Sequence, residues 1–152
     1  GHLTGPAAAA ARPGGRADGI DPSEPMIQLA RRLHGAHDCD FQLGNAEALS
    51  CGDATMDVVV SSFAVHHFPE TGQQQAIAEV HRILRPGGHV LIADFRPPRH
   101  RIPRHLLGIL SGHVMRDFPV DKPAELLRQA GFHVTATGDL YPFTRYVSAT
   151  KP

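Results

Sequence analysis

Apolar positions along this chain change period several times, and turn-forming residues stand at each change. Residues 7–11 form an alanine run that favours helix, and Pro13-Gly14-Gly15 stops it. Residues 17–20 read as a short strand. Met26, Leu29, Ala30 and Leu33 then recur at helical spacing, with Asp21 or Ser23 available as N-cap and Gly35 as the stop. Residues 40–43 alternate polar with apolar, as a strand does. Asp57 is followed by three valines that run into Ser61, Ser62 and Phe63, the profile of a strand buried on both faces of a parallel sheet. Ala76, Ile77, Val80, Ile83 and Leu84 make a helical stripe, and Arg85-Pro86-Gly87-Gly88 ends that helix and turns the chain. Val90-Leu91-Ile92-Ala93 is a second buried strand, so residues 57–93 form a βαβ unit with parallel strands.

The next stretch is broken by Pro97, Pro98 and Pro103, after which Leu106, Leu107, Ile109, Leu110, Val114 and Met115 suggest a helix with a wide apolar face. Residues 123–130 read as a short helix with proline in its first turn and Gly131 as a left-handed cap. Residues 132–140 and 143–149 are strands joined by Tyr141-Pro142, close enough to pair antiparallel. The expected class is α/β: a mostly parallel, Rossmann-like sheet closed by a C-terminal antiparallel hairpin.

Composition narrows the function. At 152 residues the chain fits one domain, 1–152, able to bury a core without disulfides or metal. Acids and bases are equal at 15 each, so nucleic-acid binding has no electrostatic support. Eleven histidines make the net charge positive below about pH 6.5. Cys39 and Cys51 fit no metal spacing and read as reduced thiols of a cytoplasmic protein. No apolar run is long enough to span a membrane, and the alanines lack the charged segment that precedes a secretory leader.

The candidate chemistry starts at Asp21, an acid at the tip of a short strand. In a nucleotide-binding α/β unit such a carboxylate offers two acceptors to the two ribose hydroxyls; the plainer role is helix N-cap. Ser62 and Phe63 stand where a parallel strand ends, the usual ligand side of an open α/β sheet. His66 and His67 are candidates for a catalytic base, with a pocket wall or surface loop as the alternatives. Gly87-Gly88 precedes a strand rather than a helix, so it presents no helix N-terminus to a phosphate. His100, His105 and His113 fall in the proline-broken segment with nothing to fix their geometry, and no metal site is expected.

Four segments, in order, resemble a class I S-adenosylmethionine-dependent methyltransferase. Gly19-Ile20-Asp21-Pro22-Ser23-Glu24-Pro25-Met26 resembles the acid-ended second strand and the start of its helix. Gly44-Asn45-Ala46-Glu47-Ala48-Leu49 resembles the adenine loop. Residues 56–68, ending in Ala64-Val65-His66-His67-Phe68, resemble the fourth strand and its exit loop. Glu79-Val80-His81-Arg82-Ile83-Leu84-Arg85-Pro86-Gly87-Gly88 resembles the helix and turn into the fifth strand. The nearest flavour is the small-molecule branch that includes quinone-biosynthesis C-methyltransferases.

That resemblance implies S-adenosylmethionine as cofactor and a small-molecule methyl acceptor. It assigns the ribose to Asp21, with Pro22 beside it; an apolar contact near ribose or ring to Met26, for which core packing is the alternative; the adenine edge to Asn45, Ala46 and Glu47, a surface turn being the plainer reading; and the methionine end to the backbone of Ser62 and Phe63. Asn45 stands where the family often has aspartate, and its amide oxygen still accepts from an amino group. Of the family's glycine loop only the last glycine, Gly1, is expected, as if the first strand were missing. Residues 96–120 are the expected variable substrate or lid segment. Two other readings stay open: an inactive fragment or non-enzymatic binding module, and an NAD(P)-dependent oxidoreductase, which shares the acid-ended strand. Oligomeric state is not legible.

Overall fold

The computed structural model describes residues 3–11, 13–35, 38–96, 121–140 and 144–152. These fall into two compact units, Gly1–Ser50 and Cys51–Pro152. Gly1, Tyr141-Pro142, Pro97, Pro98, Pro103, the histidines His100, His105 and His113, and the apolar stripe of residues 106–115 lie outside the described residues.

The first unit contains α1 (Thr4–Ala10), β1 (Ala17–Asp21), α2 (Glu24–His34) and β2 (Cys39–Leu43). The two strands pair parallel, from Ala17 opposite Cys39 to Asp21 opposite Leu43. The core is small: Ile27 and Ala30 of α2 pack on Phe41 of β2, with Cys39 alongside. The helix turns a different face inward from the expected one, because Met26, Leu29 and Leu33 are exposed. Ile27 and Ala30 define the inward face, and the exposed Arg31 fastens its edge, donating from Nε (3.1 Å) and Nη2 (2.6 Å) to the Phe41 carbonyl of β2.

The second unit contains β3 (Met56–Ser62), a 3-10 turn (Val65–His67), α3 (Glu70–Ile83), β4 (Leu84–Phe95), α4 (Lys122–Gln129), β5 (His133–Leu140) and β6 (Thr144–Thr150). The sheet order is β3-β4-β6-β5. β3 and β4 are parallel, as the βαβ unit requires, and β6 is antiparallel to both β4 and β5, which is the expected hairpin. Leu84 and Leu127 are wholly buried, and Ile77, Val90, Ile92, Val147, Ala149 and Phe132 complete a core between one sheet face and the helices. Gly131 takes the left-handed conformation expected after α4, with φ +92°.

Two expectations are corrected here. β3 is not buried on both faces: Met56 and Val59 pack on the core, but Val58 is 57% and Val60 41% exposed. The reason is position: among the described residues β3 is an edge of its sheet, and the helices pack on the face carrying Val90 and Ile92. Nor do residues 85–88 simply turn the chain between helix and strand. Met56 pairs with Leu84 and Val58 with His89, so the single residue Asp57 faces an excursion of four residues within β4. Gly87, at φ +78°, supplies its left-handed step. Backbone bonds of 2.9 Å from Gly87 N–H to the Lys151 carbonyl and from Lys151 N–H to the Gly88 carbonyl pin it. The Lys151 ammonium also donates to the His81 and Leu84 carbonyls, both at 2.8 Å, and so closes the C-terminal end of α3.

Candidate functional site

In the first unit the carboxyl ends of two parallel strands bring several sequence-predicted residues together. Asp21 ends β1. Its Oδ1 accepts the Ser23 N–H at 2.9 Å, which fixes the side chain, and its Oδ2 has no partner among the described residues. Ser23 occupies the N-cap position of α2 without a side-chain bond, and one Asp21 oxygen steadies the entry to that helix.

The Asp21 carbonyl takes the Gly44 N–H at 3.2 Å, so the residues after β2 start beside it. Asn45, Ala46, Glu47 and Ala48 then form a tight turn closed by the Ala48 N–H on the Asn45 carbonyl at 3.1 Å. The Asn45 amide donates to Glu47 Oε2 at 2.6 Å. This engages one N–H of the amide, and the oxygen, held by a long 3.5 Å contact from Glu47 N–H, keeps acceptor capacity. Pro22 lies between Asp21 and the helix cap. Met26 is 47% exposed, which rules out plain core packing.

In the second unit Ser62 ends β3, and Phe63 follows with φ +52°, a left-handed conformation that is costly for an aromatic residue. The Phe63 N–H reaches the Ala93 carbonyl at 2.9 Å, and the Phe63 side chain is exposed. The two histidines then part company. His67 is exposed, whereas His66 is buried, with the two ring centroids 4.0 Å apart.

Beneath the turn lies Asp94, 3% exposed near the end of β4. Its Oδ2 accepts the His66 backbone N–H at 3.1 Å. Its Oδ1 accepts the His66 Nδ1–H at 2.5 Å and the Phe95 N–H at 2.7 Å. Sequence reasoning ended this strand at Ala93 and missed Asp94. The available signal was an acid closing an otherwise apolar run.

Asp94 and Phe95 also line a shallow cleft with Pro123 at the start of α4 and Thr137, Arg145 and Tyr146 of the hairpin. Arg145 bridges Asp121 at 2.9 Å and Asp139 at 3.1 Å, and Arg96 meets Asp139 at 3.0 Å, so the charges at this rim largely compensate one another. Among the described residues no three histidine, cysteine or acidic side chains are grouped to hold a metal ion, and no helix is long and apolar enough to cross a membrane.

Comparison with known proteins bears on this arrangement. The family described as "Methyltransferase domain" matches residues 1–88. The chain is 40% identical over 79 residues to phthiotriol/phenolphthiotriol dimycocerosates methyltransferase 1 of Mycobacterium ulcerans, covering 52% of this chain and 28% of that protein. It is 37% identical over 79 residues to the ubiquinone/menaquinone biosynthesis C-methyltransferase UbiE of Rubrivivax gelatinosus, covering 52% of this chain and 30% of that protein. The chain thus spans under a third of the length of these curated relatives. Among solved structures, an S-adenosylmethionine-dependent methyltransferase from Methanosarcina mazei superposes with a TM-score of 0.76 at 19% identity, covering 95% of this chain and 86% of that one, which is a likeness of fold.

Proposed function

This chain belongs to the methyltransferase-domain family, and on that footing we propose that it transfers a methyl group from S-adenosylmethionine to a small-molecule acceptor by direct displacement. The family and its fold are those of S-adenosylmethionine-dependent enzymes. The observation that carries the reading to this chain is Asp21: one oxygen is committed to the Ser23 N–H, and the other, at the carboxyl end of a parallel strand, has no partner among the described residues.

The donor set suits an adenosyl group. Asp21 would take the ribose hydroxyls, with Pro22 and the exposed Met26 beside it. The Asn45 oxygen and the turn through Ala46 and Glu47 would read the adenine edge, and the backbone of Ser62 and Phe63 would meet the methionine end. The bound cofactor supplies a methyl group already activated on a sulfonium. What remains for the protein is alignment, a proximity effect worth up to about 7–11 kcal/mol in favourable systems. A base is needed only where the acceptor must lose a proton. His67 is open to solvent for that role, and His66 is enclosed. The acceptor would be selected by residues 96–120. The names of the relatives, a phthiotriol/phenolphthiotriol dimycocerosates methyltransferase and a ubiquinone/menaquinone biosynthesis C-methyltransferase, support the small-molecule reading over a macromolecular one. The free thiols of Cys39 and Cys51 fit a cytoplasmic setting.

Calorimetric titration with S-adenosylmethionine and with S-adenosylhomocysteine tests the proposal. Asp21→Ala should weaken binding by about 1.5–3 kcal/mol, the scale of hydrogen bonds to a charged group. Unchanged affinity in that variant removes Asp21 from the site, and binding of NADH in place of either ligand overturns the methyltransferase reading.

A further inference from the structure

We infer that Asp94 and His66 form a positioning pair that holds the exit turn of β3, and with it the left-handed backbone of Phe63, at the carboxyl end of that strand. Only the ligand measurement below rests on the proposed function.

The first observation is the saturation of Asp94. Each of the three groups facing its oxygens is able to donate: two backbone N–H groups and the His66 ring. Nδ1 therefore carries the ring hydrogen, which sets the tautomer of His66. Both side chains are almost wholly enclosed, at 1% and 3% side-chain exposure, so moving the turn would strip a buried carboxylate of two of its three donors.

The second observation is what the turn carries. Phe63 is held in a conformation that aromatic residues avoid, and such strain persists only where the surroundings over-determine it. Residues 63–68 are tied at three points. The Phe63 N–H is bound to β4 through Ala93, His66 is bound to β4 through Asp94, and the Phe68 carbonyl takes the Gln73 side-chain N–H of α3 at 2.9 Å. The Asp94–His66 tie is the one made between two buried ionisable side chains 28 residues apart in sequence. Asp94 follows Ala93, whose carbonyl takes the Phe63 N–H, and Ser62 and Phe63 are the residues proposed to meet the methionine end of the cofactor. Asp94 touches no ligand atom in this reading; it acts through the backbone it holds.

Three full-length variants test the pair: Asp94→Asn, His66→Phe and His66→Asn. The last can place an amide N–H where Nδ1–H sits. The wild-type chain should show a ring Nδ1–H resonance for His66 in nitrogen-resolved NMR, lost in Asp94→Asn. The amide-to-α coupling of Phe63, which reports φ, should leave its left-handed value in Asp94→Asn and His66→Phe and keep it in His66→Asn. Affinity for S-adenosylhomocysteine should fall about tenfold or more in the first two variants, as misplacement of a binding loop does, and stay within about threefold in His66→Asn. A purely structural role would lower the melting temperature and leave both the coupling and the affinity of the folded protein unchanged, and that result overturns the inference. Absence of the Nδ1–H resonance in wild type overturns it too. If the wild-type chain binds no S-adenosylhomocysteine, the proposed function fails for this chain, and the Phe63 coupling alone decides the inference in either direction.

Discussion

His81 sits on the last turn of α3, edge-on to Phe132 with ring centroids 5.1 Å apart. Burial, and then the positive charge of Lys151, hold its pKa below the ordinary histidine value of 6.5. The folded chain therefore binds fewer protons here than the unfolded chain just below that value, so stability rises with pH in this window and is lost as pH falls through about 6.5. Urea-unfolding midpoints should decline on acidification from neutral pH, and His81→Gln should decline less steeply; equal slopes would dismiss the assignment. At this scale the sequence was partly readable. Asp21 could be found because an acid at a strand tip acts locally, on Ser23 and on whatever meets the strand end. Asp94 could not, because its meaning depends on His66, brought to it only by parallel pairing of β3 and β4.

Among the elements, the β5–β6 hairpin contains a tight local fit. Gly138 faces Tyr146 across the ladder, and a methyl group on Gly138 would lie 2.6 Å from a Tyr146 ring carbon. The ring occupies the space that the missing side chain leaves, so Gly138→Ala must displace it and should cost about 1–3 kcal/mol, the range for overpacking. Chemical denaturation measures the loss, and Tyr146→Leu in the same chain should recover part of it. Helices and strands were visible in the sequence because periodicity is a property of neighbours, as with the stripe Ala76, Ile77 and Ile83, all buried. Which face turns inward was not visible for α2, where the spacing of Met26, Leu29 and Leu33 competed with that of Ile27 and Ala30, and the outcome rests on contacts with Phe41 that only the fold supplies. The four-residue excursion of β4 was likewise hidden. Pro86-Gly87-Gly88 signals a turn, but whether the strand resumes on the same partner depends on register, which only β3 defines.

For the whole molecule, the α/β class, the βαβ unit and the closing hairpin were all legible from the order of elements. The partition of the core was not. Among the described residues the second unit packs eleven buried hydrophobic residues into one cluster, and the first packs three beneath a two-stranded sheet. A sheet of two strands is marginal without further cover, so the two units should differ in local stability. Native-state hydrogen exchange should show β1 and β2 amides opening at lower denaturant than those of β4 and β6, and a single common opening energy would refute the difference. One detail of the second unit has a chemical consequence. The sequence contains two lysines, and both side-chain amines are engaged: Lys122 by Glu70 at 2.7 Å, and Lys151 by two helix-end carbonyls. Amine-reactive reagents thus meet one ammonium in an exposed ion pair and another plugged into a helix terminus. The ratio of their acylation rates becomes a clock for the fraying of α3, readable by mass spectrometry without any ligand or activity assay.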